Sequence, residues 1–120
     1  MKAVTDIEQS KRLAQILPLE SADCYWSYDS LQGFHRIEWF EEGYNKQSQL
    51  REKEIHCWSL AALFDVLPEG VIDNCYVPNL QKENGKYSIA YGDEELLCIA
   101  DNPIDTCYEM IMKLHEQKLI

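Results

Sequence analysis

The sequence predicts an α+β fold, an antiparallel sheet with three helices in the order α-β-β-α-β-β-β-α. Three observations predict it. The pattern L-x-x-[I/V]-L-P occurs at 13–18 and again at 63–68, and each copy closes an apolar helical stripe. Each is followed by a Cys-Tyr pair, Cys24-Tyr25 and then Cys75-Tyr76, which suits the start of a strand. Asn84-Gly85 marks a hairpin, because a type I′ turn needs positive φ at both central positions. The echo between the halves also raises a weak internal duplication.

Each element has its own local reason. Thr5 and Glu8 stand at capping-box spacing and open a helix over residues 6–17. Ile7, Ser10, Leu13, Ala14 and Leu17 share one face of it, and Pro18 stops it. Strands follow at 24–29 and 34–40, joined by a turn in which Gly33 is free to take positive φ. In the second strand Phe34, Arg36, Glu38 and Phe40 alternate with His35, Ile37 and Trp39; both faces carry aromatics, so periodicity leaves the buried face open. The charged stretch 41–54, with only Tyr44 and Leu50 to anchor it, reads as a mobile loop with one helical turn near 49–54. Ser59 caps a short helix through Leu67, with Leu60, Leu63, Phe64 and Leu67 as its stripe.

Residues 75–99 read as a meander, with strands at 76–82 and 86–91, a second turn at Gly92-Asp93-Glu94 and a third strand at 96–100. Pro78 puts the first of these at an edge or delays its start. Asn102 caps the last helix, with Pro103 at its first position. Its predicted buried stripe is Ile104, Cys107, Tyr108, Ile111, Leu114 and His115.

A chain of 120 residues fits a single domain, and 46% apolar with 11% aromatic residues is a globular composition. Eleven basic against 21 acidic residues leave a net charge of −10. Such a balance disfavours direct binding to nucleic acid or a membrane surface, which needs a positive face, and suits a basic protein partner. The five cysteines include no C-x-x-C pair, so neither a zinc ribbon nor a thioredoxin-type site is suggested, and no cofactor is implied. Most have bulky apolar neighbours, as small buried groups do. The N-terminus turns acidic before any apolar run forms, and no run approaches the ~20 residues of a membrane span, so a cytoplasmic setting is expected.

Three groups of residues carry the functional expectations. His56-Cys57-Trp58 sets a thiol beside an imidazole, the pairing of a cysteine nucleophile, and Cys57 precedes a helix N-terminus that could lower its pKa. Neighbours on a strand point to opposite faces, however, so a useful partner for Cys57 would have to be His35 or His115. Asp93, Glu94 and Glu95, with Asp101 and Asp105, form an acidic cluster; it lacks the ligand spacing of a calcium loop, and Asp101 and Asp105 suit a helix N-terminus. Tyr25, Trp26, Tyr28, Trp39 and Tyr44, with Phe34 and Phe40, are more aromatics than one strand pair buries on one face, so some belong to a contact surface or a homodimer interface.

Three segments together resemble a known group. They are Trp58-Ser59-Leu60-x-Ala62-Leu63 with Leu67-Pro68, the closing Asn102-Pro103-Ile104-Asp105-x-x-x-Glu109-Met110-Ile111, and the opening helix ending in Leu17-Pro18. The chain is similar to an uncharacterised family of small proteins of gut anaerobes, often encoded near prophage or mobile-element genes. The resemblance implies an intracellular accessory protein of that setting, with Trp58, Ser59 and Asp105 as its marker residues, and brings no catalytic residue.

The reading that best combines these features is a non-enzymatic protein–protein interaction domain. Its expected contact surface is Tyr25, Trp26, Tyr28, Trp39, Tyr44 and Trp58 together with Asp93, Glu94 and Glu95. Two alternatives stand beside it: a small-ligand-binding domain or cysteine-dependent enzyme near Cys57, His35 and Trp39, and an acidic inhibitor that mimics nucleic acid.

Overall fold

The computed structural model describes residues 2–41, 50–71 and 77–120, and of 93–95 the backbone. The fold is α+β, with three α-helices and two three-stranded antiparallel sheets among the described residues. The helices and the five longer strands follow in the predicted order. Two short elements are added: a 3-10 turn at Leu19–Ser21 and a three-residue strand at Ile55–Cys57. The chain divides into two compact units, Val4–Ala62 and Leu63–Ile120 with the first three residues.

In the first unit α1 spans Ile7–Leu13. Its N-cap is Asp6, one residue later than the Thr5 predicted: the Asp6 carboxylate accepts Gln9 N–H at 2.8 Å, and Gln9 Oε1 accepts Asp6 N–H at 3.1 Å. The helix also ends earlier than expected. Gln15 and Ile16 donate three residues back, to Arg12 and Leu13, so the last turns tighten toward Pro18, whose ring disfavours α-geometry in Leu17. Ser10, Leu13 and Leu17 are buried, whereas Ile7 and Ala14 are only half-buried.

β1 (Cys24–Asp29) and β2 (Phe34–Trp39) form the predicted hairpin, with Gly33 at φ +73°. β3 (Ile55–Cys57) adds to the free side of β1, giving the order β2-β1-β3. The register settles the faces. Cys24, Trp26 and Tyr28 share one face with Ile37, His35, Ile55 and Cys57, and the cluster of Val4, Cys24, Cys57, Trp26 and Ile37 lies there. Tyr25, Arg36, Glu38 and His56 lie on the other. Of the expected loop 41–54, residues 42–49 lie outside the described residues. Residues 51–54 make a single turn closed by Glu54 N–H on Arg51 O at 3.0 Å.

α2 (Leu60–Val66) starts where Ser59 Oγ accepts Ala62 N–H at 3.2 Å, as the sequence predicts. Its buried stripe is Ala62 and Leu63, extended by Leu67; Leu60 is half-buried and Phe64 is 37% exposed.

In the second unit β4 (Pro78–Glu83), β5 (Lys86–Tyr91) and β6 (Asp93–Ala100) form a meander. Asn84 and Gly85 both take positive φ, 53° and 76°, as the type I′ turn requires. The second turn is tighter than expected. Gly92 alone makes it, at φ +71°, so Asp93 and Glu94 belong to β6; the crowding is relieved by a register shift at Ala90/Tyr91. The two halves share a helix and a hairpin, but the third strand joins β1 in one sheet and β5 in the other.

α3 (Pro103–Glu116) packs on one face of this sheet. Asn102 caps it through Asp105 N–H at 2.9 Å, and Thr106 Oγ1 donates to Tyr87 O at 3.1 Å. Ile104, Cys107, Met110, Ile111 and Leu114 are almost wholly buried. His115 is exposed instead of completing the stripe, because the buried arc is turned toward Thr106 and Met110 and leaves the last turn at its margin. Among the described residues no helix is long and apolar enough to cross a membrane.

Candidate functional site

The first unit ties its entering segment to the end of β3 with polar groups. Thr5 N–H donates to Trp58 O at 2.9 Å, and Thr5 Oγ1 accepts Trp58 N–H at 3.1 Å while bonding Ser10 Oγ at 2.7 Å. Trp26 Nε1 donates to Thr5 O, and Trp58 Nε1 to Ser21 Oγ, both at 2.9 Å. The Asp23 carboxylate receives both the N–H and the hydroxyl of Ser59. Among the described residues no buried side-chain nitrogen or oxygen lacks a hydrogen-bond partner. These groups hold the chain in place, and Trp58, expected on a contact surface, is wholly enclosed among them. A tryptophan with its N–H satisfied is a core residue here.

The groups a cysteine nucleophile needs are set apart. His56 and Cys57 face opposite sides of the sheet; the His56 ring lies 5.6 Å from Phe40, which lies 4.9 Å from Tyr25. His35 shares the face of Cys57 but pairs with Tyr28, four residues along β1 from the Cys24–Cys57 pair, or about 13 Å at strand rise. His115 is on α3, in the other unit. Cys57 Sγ instead donates to Cys24 Sγ at 3.0 Å. The close pairing with Cys57 and burial push the Cys24 thiol far up, away from the thiolate that nucleophilic chemistry uses. Cys98 and Cys107 are also buried, and burial pushes Cys107 up to about 12. Cys75 lies outside the described residues.

Tyr28 and His35, with ring centres 5.0 Å apart, floor a cleft of about 340 Å³ that Ile7, Lys11 and Ile55 help to line. Lys53 Nζ lies 4.7 Å over the Tyr28 ring, and the cleft continues past Lys53 toward Arg51. Trp39 is 56% exposed, while Tyr25, Trp26 and Tyr28 are half-buried; Tyr44 lies outside the described residues.

The second unit presents a wider cleft of mixed polar and apolar lining, which the sequence reading did not single out. The sheet face away from α3 carries Ser88 and Ala90 of β5 and Leu97 and Ile99 of β6. Ser88, Ala90 and Leu97, with Val77, Asn79 and Gln81, line a shallow cleft of about 570 Å³, and Ile99 stands opposite Ser88 on the neighbouring strand. Val77 is 66% and Ile99 56% exposed. The signal was present in β6. Leu96-Leu97-Cys98-Ile99 is apolar on both faces, and one helix covers only one of them. Asp93, Glu94 and Glu95 begin this strand. The other acidic residues have local partners: Asp101 pairs with Lys86, and Asp105 with Lys2 at 2.7 Å and with Asn102 Nδ2 at 2.8 Å.

Among the described residues, fold and surface define a small α+β protein of two three-stranded antiparallel sheets, one of which has Leu97 and Ile99 among polar residues on its outer face. No protein-family model, curated protein or solved structure matches the chain.

Proposed function

We propose that the protein is a non-enzymatic interaction domain that docks a basic protein on the outer face of the β4-β5-β6 sheet. The observation that carries this reading is the exposure of Val77 and Ile99 around a cleft floored by Ala90 and Leu97. Exposed apolar residues gathered on one sheet face, as opposed to scattered singly, favour a contact surface. Charge selects the partner. The chain carries −10, and three consecutive carboxylates, Asp93 to Glu95, open the strand that supplies Leu97 and Ile99. A basic partner would be drawn by that net charge while its apolar centre fills the cleft. The resemblance to small proteins encoded near mobile-element genes gives an accessory role and a cytoplasmic setting for such a domain.

Ile99→Glu tests this reading. Its side chain already faces solvent, so the variant keeps the circular dichroism spectrum and urea midpoint of the parent. Affinity capture from lysate of the source cell is run side by side on parent and variant. A basic protein retained by the parent should be lost from the variant at least tenfold and should elute steeply with salt. Equal retention by both, or retention insensitive to salt, removes the reading.

A further inference from the structure

We propose that Cys24 and Cys57 form an oxidation site, at which a peroxide converts two buried thiols into one cross-strand disulfide. The two residues stand directly opposite each other on the antiparallel pair β1–β3. Directly opposed residues of such a pair have Cα atoms about 4.5–5.5 Å apart, whichever hydrogen-bonding class they belong to. That range lies inside the window of about 4.4–6.8 Å that a disulfide spans. The backbone therefore needs no displacement. The sulfur atoms are already 3.0 Å apart, and Cys24 Sγ also donates to Cys57 O at 3.2 Å. A small rotation of each side chain closes the remaining gap to the roughly 2.05 Å of an S–S bond.

The surroundings set the order of events. Both thiols are 0% exposed, so only a small oxidant can reach them, and it does so when the three-residue edge strand β3 opens. The close pairing with Cys57, burial and the Asp23 carboxylate 3.4 Å away, to which Cys24 donates, hold Cys24 in its protonated form. One of the two sulfurs takes one oxygen of hydrogen peroxide, the O–O bond breaks, and a sulfenic acid and one water result. The other sulfur then attacks the sulfenic sulfur; the S–S bond forms, the S–O bond breaks, and the hydroxyl leaves with the attacking thiol's proton as a second water. Two thiols lose two hydrogens and two electrons, and one peroxide is reduced to two waters. The product closes residues 24–57 into a covalent loop and fixes β3 to β1. This site is independent of the outer face of the other sheet.

The experiment needs no variant. The native, fully reduced protein is treated with hydrogen peroxide, unfolded, capped with N-ethylmaleimide and digested without reductant. Two of the five thiols should escape capping, the intact mass should fall by two hydrogens, and one linked peptide pair should join Cys24 to Cys57. Dithiothreitol should restore all five. Five capped thiols after peroxide, a sulfinic acid at either residue with no link, or a link to any other cysteine overturns the proposal.

Discussion

Thr5 meets the first unit through both its backbone and its hydroxyl, and the hydroxyl serves Trp58 N–H and Ser10 Oγ together. Thr5→Val keeps the shape and removes the hydroxyl, leaving the buried Trp58 N–H without its partner and Ser10 Oγ with only its longer 3.4 Å bond to Thr5 O. Each such loss costs about 1–3 kcal/mol. The expected outcome is a fall of about 2–3 kcal/mol in unfolding free energy, read as a lower urea midpoint at unchanged slope. Thr5→Ser, which keeps the hydroxyl, should lose less than half of that. A valine variant within about 0.5 kcal/mol of the parent would show that the network contributes little. The sequence alone suggested a cap for Thr5 because the spacing to Glu8 is local and visible. Its actual partner, Trp58, is 53 positions away, and no local pattern points there. The same distance explains Trp58 itself. A tryptophan's residue type suits a contact surface and a core equally, and only the fold reveals that its N–H is spent on Ser21.

At the scale of elements, what was legible was what the chain decides locally. Asn84-Gly85 set its hairpin and Asn102-Pro103 started α3, because turn and cap chemistry need no distant residue. β3 was missed because three residues carry no periodicity; Ile55–Cys57 is a strand only through its pairing with β1. The candidate surface was missed for a related reason. An apolar run in β6 looks like a buried strand until the helices have been counted against the sheet faces. Local causation makes α3 the place for an element-level prediction. Asn102→Ala removes the acceptor for Asp105 N–H and also frees Asp105 from its 2.8 Å bond with Asn102 Nδ2. The cost should be about 1 kcal/mol, with the midpoint of urea unfolding lowered accordingly. Asn102→Ser, which keeps an acceptor for Asp105 N–H without setting a second carboxylate against Asp105, should recover most of it. If alanine and serine behave alike, Pro103 and the first-turn packing alone start the helix.

Over the whole chain, burial falls repeatedly on groups that ionise in alkali, and this gives both sheets the same weakness. Cys24 in the first unit and Tyr91, Cys98 and Cys107 in the second all have raised pKa values, with burial as the first or second cause in each. Tyr91 has its phenol on Pro68 O at 2.8 Å, and Cys107, on the buried face of α3, is pushed by burial from an ordinary 9.0 up to about 12. Above pH 9 the unfolded chain releases the Cys107 proton while the folded chain keeps it. The unfolded state then binds fewer protons, so stability must fall as pH rises from 9 toward 12. The contribution is intact below pH 9 and gone above 12. Each pH unit in that window removes up to about 1.4 kcal/mol for such a thiol. Rising negative charge on a chain already at −10 acts in the same direction, and salt separates the two. At about 1 M salt the screening length falls to roughly 3 Å, which suppresses surface repulsion but leaves a buried thiol's proton where it is. Urea titrations in high salt should therefore still show the loss above pH 9. In Cys107→Ala the stability at neutral pH drops through lost packing, but the slope against pH between 9 and 12 should be shallower than the parent's. An identical slope in the two chains would mean that the Cys107 proton is not what alkali removes on unfolding.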